Sequence, residues 1–549
     1  MVRAWIASSE RFAPWLAGIL LAVPILAVRY PPMGDLAMHE ALIAIMRRLH
    51  DPSFVPAGLY YVVAPQANQL FPLAALALSL VVPTDMACKI LVAGIVLATL
   101  PLAARLLERR GRSRWLALLV GPIACGWMFR WGLVANLAGF ALLLFALPEL
   151  ERLARRPVAS AVARSTALAC VLFFAHESSA IIFGGVAALF ALVRASTWRG
   201  FLLRAAPCIV TVALTMAQWR LSDRLLGANM RAIGTEYGAE PFERIAILPG
   251  AVFGGLSPGR LALLGGIWVA AVASSALAGR RRSAGRLPLA IATWRNRYAL
   301  LAAVLALLYL VFPMALGGTT LLAHRFLPAA CLCLLVACAG RTSHVLPAAI
   351  AAASPLVMLG VELPAFFASD ARYRALDRII AYVPADVALA QLDLTPRPPG
   401  HVAPVVGAAG RVLAERGGRM LFAMTDMPPN PVYVRAGLSW NEPVQRLAQA
   451  PYAFMPAHDL TLFSYLLERN ESGAARDLIA RALAPEAELV AAEGEWSLFR
   501  SRLPVADLAT PDRPLPSPPP ETLAARIALL RASDPASPAN APTAPAMKR

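Results

Sequence analysis

Over its first two thirds the chain alternates long apolar runs with short polar stretches, and after that the pattern changes. The first apolar run is roughly Phe12–Arg29, and others centre near Leu97, Val120, Leu142, Ala169, Gly185, Ile209, Ile267, Ala306, Leu334 and Ala352. A bilayer crossing takes about 20 apolar residues at about 1.5 Å rise each, so the runs predict about eleven spans. The first follows Arg3 and Arg11 without an A-x-A cleavage site and reads as an uncleaved anchor. Arginine is dense at Arg109–Arg114, Arg152–Arg164, Arg194–Arg204 and Arg280–Arg297, with a smaller site at Arg341. Such loops stay cytoplasmic, and successive loops alternate sides. Alternation holds only if Asn68–Pro83 does not cross. The expected orientation therefore has the N-terminus inside and the C-terminal region outside.

From about Phe366 apolar runs shorten to strand length while charge and proline rise. Tyr373–Tyr382 reads as a helix with Leu376, Ile379 and Ile380 on one face. Val387–Leu392, Arg419–Met424 and Thr461–Leu467 read as strands, and Gly473–Leu483 as a helix. Glu486–Ala492 and Trp496–Arg500 read as a closing hairpin. The expected fold is mainly α: a polytopic helical bundle over 1–365 with a first outer loop at 30–85. A small extracytoplasmic α/β domain follows over 366–511. The stretch 512–549, rich in Pro and Ala, is expected to be a disordered tail with one short helix near Glu521–Ser533.

Composition narrows the function. Of 549 residues 58% are apolar and 15% charged, where a soluble chain has about 45–50% and about 25%. The net charge of +18 is carried almost wholly by Arg, with Lys89 and Lys548 as the only lysines. That charge sits in short inner loops, where it orients spans and meets anionic headgroups, so membrane lipids and not nucleic acid are the expected partners. No G-x-x-x-x-G-K-[ST] occurs, which excludes a P-loop nucleotide site, and neither lysine is placed for a Schiff base. Cys88, Cys125, Cys170, Cys208, Cys331, Cys333 and Cys338 lie in or beside apolar runs with no C-x-x-C, and read as small core residues.

An ionic side chain near lipid needs a wet cavity or a partner. Three sets fall at predicted outer ends of spans: Asp35 with His39 and Glu40, His176 with Glu177, and His324 with Arg325. His50, His344, His401 and His458 lie elsewhere. Pro31–Glu40 leads into apolar positions Leu42, Ile43, Ile45, Met46 and Leu49, predicting an amphipathic helix on the membrane surface that ends at Arg47-Arg48. Asp35 and His39 are four apart and share a face of it. Asp35 is either that helix's N-cap or a general base for an acceptor hydroxyl, and one carboxylate can do both. His176-Glu177 either lines an external cavity, on a metal or a sugar, or forms an interfacial turn. Arg325 either clamps a phosphate bidentately or snorkels to the headgroups. Arg130, Asn136 and Asp85 are weaker candidates, and Arg220, Arg224, Arg231, Glu236 and Glu243 suggest a solvated juxtamembrane helix.

Gly34-Asp35 after the first span, the non-crossing segments Leu36–Leu49 and Asn68–Pro83, the span from Lys89 to the basic turn at Arg114, and an outer C-terminal domain together resemble the membrane glycosyltransferases of the GT-C fold. The resemblance covers most of residues 1–505 and is architectural. It implies a polyprenyl-phosphate-linked sugar as donor, an extracytoplasmic acceptor, and a bacterial inner-membrane location with the C-terminal domain in the periplasm. Asp35 would deprotonate the acceptor hydroxyl as the sugar transfers with inversion. Arg325, beside His324, would stabilise the leaving phosphate. His39, Glu40, His176 and Glu177 would line the pocket. The loop lacks an Asp-x-Asp or Glu-x-Asp, so no cofactor is named and a divalent metal ion is left open. Two other classes fit the hydropathy: a lipid or solute transporter, although no internal repeat is present, and a non-catalytic scaffold or sensor.

Overall fold

The computed structural model describes residues 9–226, 237–279, 294–316, 320–339, 345–395, 407–421, 423–426, 429–435, 438, 441–506 and 519–533. Arg231, Glu236, Arg341, His344, His401 and most of the Arg280–Arg297 loop lie outside them. The fold is mainly helical, with a small sheet near the C-terminus. In chain order the helices used below are α1 Ala13–Ala27, α2 Leu36–Arg47, α3 Leu70–Leu78, α4 Thr84–Arg109, α5 Trp127–Trp131, α6 Val134–Arg155, α7 Ala159–Ala175, α8 Glu177–Arg194, α9 Trp198–Leu226, α10 Pro241–Ala246, α11 Pro258–Gly279, α12 Arg297–Val311, α13 Leu327–Cys338 and α14 Val345–Ile380. In the C-terminal region follow α15 Ala409–Arg416, α16 Gly473–Leu483 and α17 Leu523–Ser533.

Six described helices (α4, α6, α8, α9, α11 and α14) are long and apolar enough to cross a membrane, and four shorter apolar ones cover Ala13–Ala27, Ala159–Ala175, Arg297–Val311 and Ala323–Cys338. The remaining expected crossing, near Val120, is not one helix. Arg114–Val120 is a 3₁₀ turn, Gly121–Ala124 a single turn, and α5 starts anew at Trp127. At the last of these breaks only glycine fits, because a Cβ at position 126 would lie 2.4 Å from the Val252 carbonyl oxygen. Irregular backbone at this depth is tolerated because it is enclosed, with every residue from Trp115 to Phe129 buried. Asn68–Pro83 does not cross. α3 has nine residues, about 14 Å, against a hydrocarbon layer of about 30 Å.

At 36 residues, α14 reaches about 54 Å, well beyond the hydrocarbon layer. It absorbs the helix expected at Tyr373–Tyr382, and Leu376, Ile379 and Ile380 are buried in a second core. A five-stranded sheet builds that core, with strands β2 Ala388–Asp393, β3 Arg419–Met420, β5 Tyr465–Arg469, β6 Ala487–Glu493 and β7 Trp496–Ser501 in the order β3-β2-β5-β7-β6. β2 runs parallel to both β3 and β5, in register Leu389↔Tyr465, and β5, β7 and β6 are antiparallel. Two strand readings shift. The first, Arg419–Met424, keeps two strand residues before a 3₁₀ turn at Met424–Asp426, and the second begins at Tyr465, because Pro456 opens a short helix just upstream. The C-terminal helix α17 docks on this domain, with the N–H of Leu523 donating to the Phe454 carbonyl at 2.6 Å and Arg526 forking onto Glu486.

The largest departure from the sequence reading is the first outer loop. α2 does not lie on a membrane surface, since Leu36–Ile45 are all buried. Its residues Ala37, Met38, Ala41, Leu42 and Ile45 belong to the core of the C-terminal domain. Further along, β1 Tyr60–Val62 pairs antiparallel with β4 Val432–Val434. α15 covers α2 at a distance only glycine permits: a Cβ at position 410 would sit 2.6 Å from the Ala37 carbonyl. Gly410→Val is therefore expected to weaken docking by about 1–3 kcal/mol or more, since backbone cannot yield as a side chain does. Limited proteolysis and thermal melting of the purified protein check this, as faster cleavage of the C-terminal domain and a lower Tm.

Candidate active site

Asp35 precedes the first turn of α2, where the chain leaves α1 and meets the turn between α5 and α6. The N–H of Gly34 donates to the Arg130 carbonyl at 2.9 Å and that of Asp35 to the Trp131 carbonyl at 3.0 Å. Gly132 ends α5 at φ +75°, and a Cβ there would lie 2.5 Å from the Asp35 nitrogen, so glycine is required twice over. Asp35 holds the N-cap position, yet its side chain makes no capping hydrogen bond. The carboxyl is half-buried and takes no hydrogen bond or ion pair among the described residues, and desolvation pushes its pKa up to about 7.

His39 lies one turn on, its N–H donating to the Asp35 carbonyl at 3.1 Å. The ring meets Phe71 of α3 edge-on at 5.7 Å, and its Nδ1 has no partner. Burial lowers the imidazole to about 4, so it is neutral near pH 7. Glu40 turns the other way, to Arg411 of α15 at 3.4 Å. Burial raises the Glu40 carboxyl to about 7 against the pull of Arg411.

His176 is the extended residue joining α7 and α8. Its Nε2 accepts from Arg325 Nη1 at 3.2 Å and its Nδ1 lies 2.7 Å from the Ser178 hydroxyl, a pattern that fits the neutral imidazole protonated at Nδ1. Arg325 also donates to the Thr320 carbonyl at 3.1 Å, while its Nε is buried without a partner. The N–H of Glu177 donates to the Asn68 side-chain oxygen at 3.0 Å. His324 is held apart from this pair, stacked on Trp127 at 5.2 Å and edge-on to Tyr309 at 5.6 Å, with Nδ1 unpaired.

The structure thus joins His176, Glu177 and Arg325 in one group and places Asp35 and His39 in another, with no hydrogen bond or ion pair between the two among the described residues. They share walls. Asn68 touches Glu177 and Phe71, three residues on, touches His39. α5 stacks Trp127 on His324 and holds Asp35 with its last carbonyls.

Several charged groups here were missed or underweighted in the sequence. Arg130 forks from Nε and Nη2 onto one oxygen of Glu362 at 3.0 and 2.8 Å, and the other Glu362 oxygen is buried without a partner. A lone Glu inside the last apolar run was the signal for it. Lys89 donates to the Val28 carbonyl at 3.0 Å, fixing α4 against the end of α1. Arg244 is buried and donates to the carbonyls of Ala239, Tyr309 and Phe312, while its neighbours Phe242, Glu243 and Ile245, like Arg220 and Arg224, are exposed. Among the described residues no three His, Cys, Asp or Glu side chains come together as a metal site.

No protein-family model matches the sequence, and no curated protein does. Among solved structures the chain is similar to ArnT from Cupriavidus metallidurans bound to undecaprenyl phosphate. The identity is 13% and the TM-score 0.43, over 93% of this chain and 100% of that one. The apo state of the same protein is similar at 15% identity and a TM-score of 0.42, over 90% of this chain and 98% of that one. A function has to be read from the side chains themselves.

If Asp35 is the base, only its ionised form accepts a proton. Its carboxyl is raised, so the reactive carboxylate is lost as pH falls through about 7. Activity is expected to rise about tenfold per unit below that pH and level off above it. A pH profile of kcat/KM, which reports the free enzyme, checks this, and a limb at about 4 would mean an ordinary solvated carboxylate.

Proposed function

We propose that the protein is an integral-membrane glycosyltransferase that moves a sugar from a polyprenyl-phosphate donor to a hydroxyl of an extracytoplasmic acceptor. The observation that carries this reading is Asp35: a carboxyl outside the spans, held by two backbone hydrogen bonds, spared from capping, and poised near pH 7. A carboxylate with no partner of its own is free to take a proton from a bound hydroxyl. As that proton leaves, the acceptor oxygen bonds to the anomeric carbon from the face opposite the phosphate. The bond from that carbon to the phosphate oxygen breaks, and the configuration inverts.

The departing polyprenyl phosphate gains negative charge, which Arg325 is suited to meet. Its guanidinium is fixed by His176 and Thr320 and keeps an unpaired N–H. Glu177 and His176 stand beside it, and neutral His39 can hydrogen-bond an uncharged sugar. In this reading His324 supports the wall through Trp127. The proposed location is a bacterial inner membrane, with the C-terminal domain in the periplasm.

The test uses the full chain in proteoliposomes, supplied with a panel of polyprenyl-phosphate sugars and a cell-envelope extract as the source of acceptors. Acceptor-dependent release of free polyprenyl phosphate, lost in D35N, is the expected result. Release that is equal in wild type and D35N would sink the proposal. Flux of a solute without any donor would favour transport instead.

A further inference from the structure

The outer domain grips the helix that carries Asp35 more closely than simple coverage requires. The N–H of Gly407 donates to the Gly34 carbonyl at 3.2 Å, and a Cβ at 407 would fall 2.6 Å from that oxygen. One turn on, Arg411 Nη1 donates to Glu40 Oε2 at 3.4 Å, with both side chains buried. Arg411 also pairs with Glu415 at 2.6 Å and Asp377 at 3.8 Å, and its guanidinium lies 5.2 Å from the Tyr30 ring centre. A narrow cleft here is lined by Tyr30, Leu36, Glu40, Tyr373 and Arg411.

We propose that Arg411 is a positioning residue for Asp35: by neutralising Glu40 it keeps α2 seated between the outer domain and the Arg130–Gly132 turn. The proposal rests on the reading of Asp35 as the base. Asp35 and Glu40 ride on one rigid helix, so a shift at Glu40 is transmitted to the carboxyl five residues before it. A buried carboxylate without its partner either takes up a proton or leaves for water. The other groups facing Glu40 do not replace Arg411. Lys89 also attracts Glu40 but is held at the Val28 carbonyl and forms no ion pair with it, while Asp85 and Cys88 on α4, Asp35, and Tyr373 on α14 add no positive charge. Without Arg411, α2 stays seated only while Glu40 is protonated.

The experiment compares R411M and E40Q/R411M with wild type, as full-length chains in lipid nanodiscs, at about pH 5.5 and at about pH 9.5, the higher value chosen because losing Arg411 raises the Glu40 carboxyl further. Hydrogen exchange of the Leu36–Arg47 amides reads seating. In R411M these amides are expected to exchange at least about tenfold faster at the higher pH and near the wild-type rate at the lower one. In E40Q/R411M, where no buried charge is left unpaired, protection returns to within about threefold at both. Sugar transfer follows seating. R411M loses about 100-fold in kcat at the higher pH with donor KM within about twofold, as a misplaced base does, and gains an alkaline limb that the double variant lacks.

Unchanged exchange in R411M at the higher pH overturns the proposal, and so does lost seating with wild-type kcat. If R411M does not accumulate but E40Q/R411M does, that rescue supports it. If neither accumulates, Arg411 does more than neutralise Glu40 and the proposal fails. A wild-type protein that transfers no sugar defeats the base reading of Asp35, while the exchange arm still decides whether Arg411 seats the helix.

Discussion

Asp35→Asn is expected to cut sugar transfer by about 10²- to 10⁴-fold while leaving the protein folded and in the membrane. The amide is nearly the size of the carboxyl, and the native side chain takes no hydrogen bond or ion pair among the described residues, so little packing is at stake. Removing a raised, desolvated carboxyl also removes no favourable ion pair, so the thermal midpoint is expected to hold or rise slightly. Transfer and Tm measured on the same preparation separate chemistry from stability. A large fall in Tm would mean that the carboxyl holds structure, and wild-type transfer would mean that it is not the base. Asp35→Ala gives the same loss of rate, and added formate or acetate should restore part of it by supplying a carboxylate in the space left open.

The second large effect is expected at Arg325. Arg325→Met should lower kcat about 10²- to 10³-fold, because the charge it meets grows as the sugar–phosphate bond breaks. Arg325→Lys keeps the charge but loses the planar fork, and should fall between the two. Free polyprenyl phosphate, which resembles the departing group, should inhibit the wild type and bind the Met variant at least about tenfold more weakly. The His176 ring would lose its Arg325 partner in either variant, so His176→Gln serves as a control: a loss comparable to Arg325→Met would show that the pair acts as one unit. Full transfer by Arg325→Met would place the leaving phosphate elsewhere, and Arg130 with its unshared Glu362 oxygen would be the next group to change.

Much of the architecture was legible in the sequence. Apolar length is a local quantity, so α4, α6, α8, α9, α11 and α14 could be read from it, and so could the non-crossing α3, which is too short to span. The 3.6-residue spacing of Leu376, Ile379 and Ile380 located the C-terminal end of α14. The strand pairs β6–β7 showed in their alternation around Glu493-Gly494-Glu495. Among polar residues, the isolation of His176-Glu177 and His324-Arg325 within apolar surroundings drew attention to both, and the structure puts His176 and Arg325 3.2 Å apart. The broken run at Val120 was less legible, because hydropathy registers an enclosed 3₁₀ turn and a lipid-facing helix alike.

What the sequence determined by itself was the kind of protein: a chain whose apolar runs demand a membrane and whose last third turns to short strands and helices. The tertiary structure alone decided the pairings. Hydrophobic periodicity reports that one side of a helix is covered, but not by what. It could not show that α2 is covered by a helix some 370 residues away, that Gly410 makes the approach possible, or that Arg411 answers Glu40. Nor could it show that Asp35 leaves its cap unmade. The Arg130 and Trp131 carbonyls hold the Gly34 and Asp35 backbone, and contacts of that kind exist only once the chain has folded.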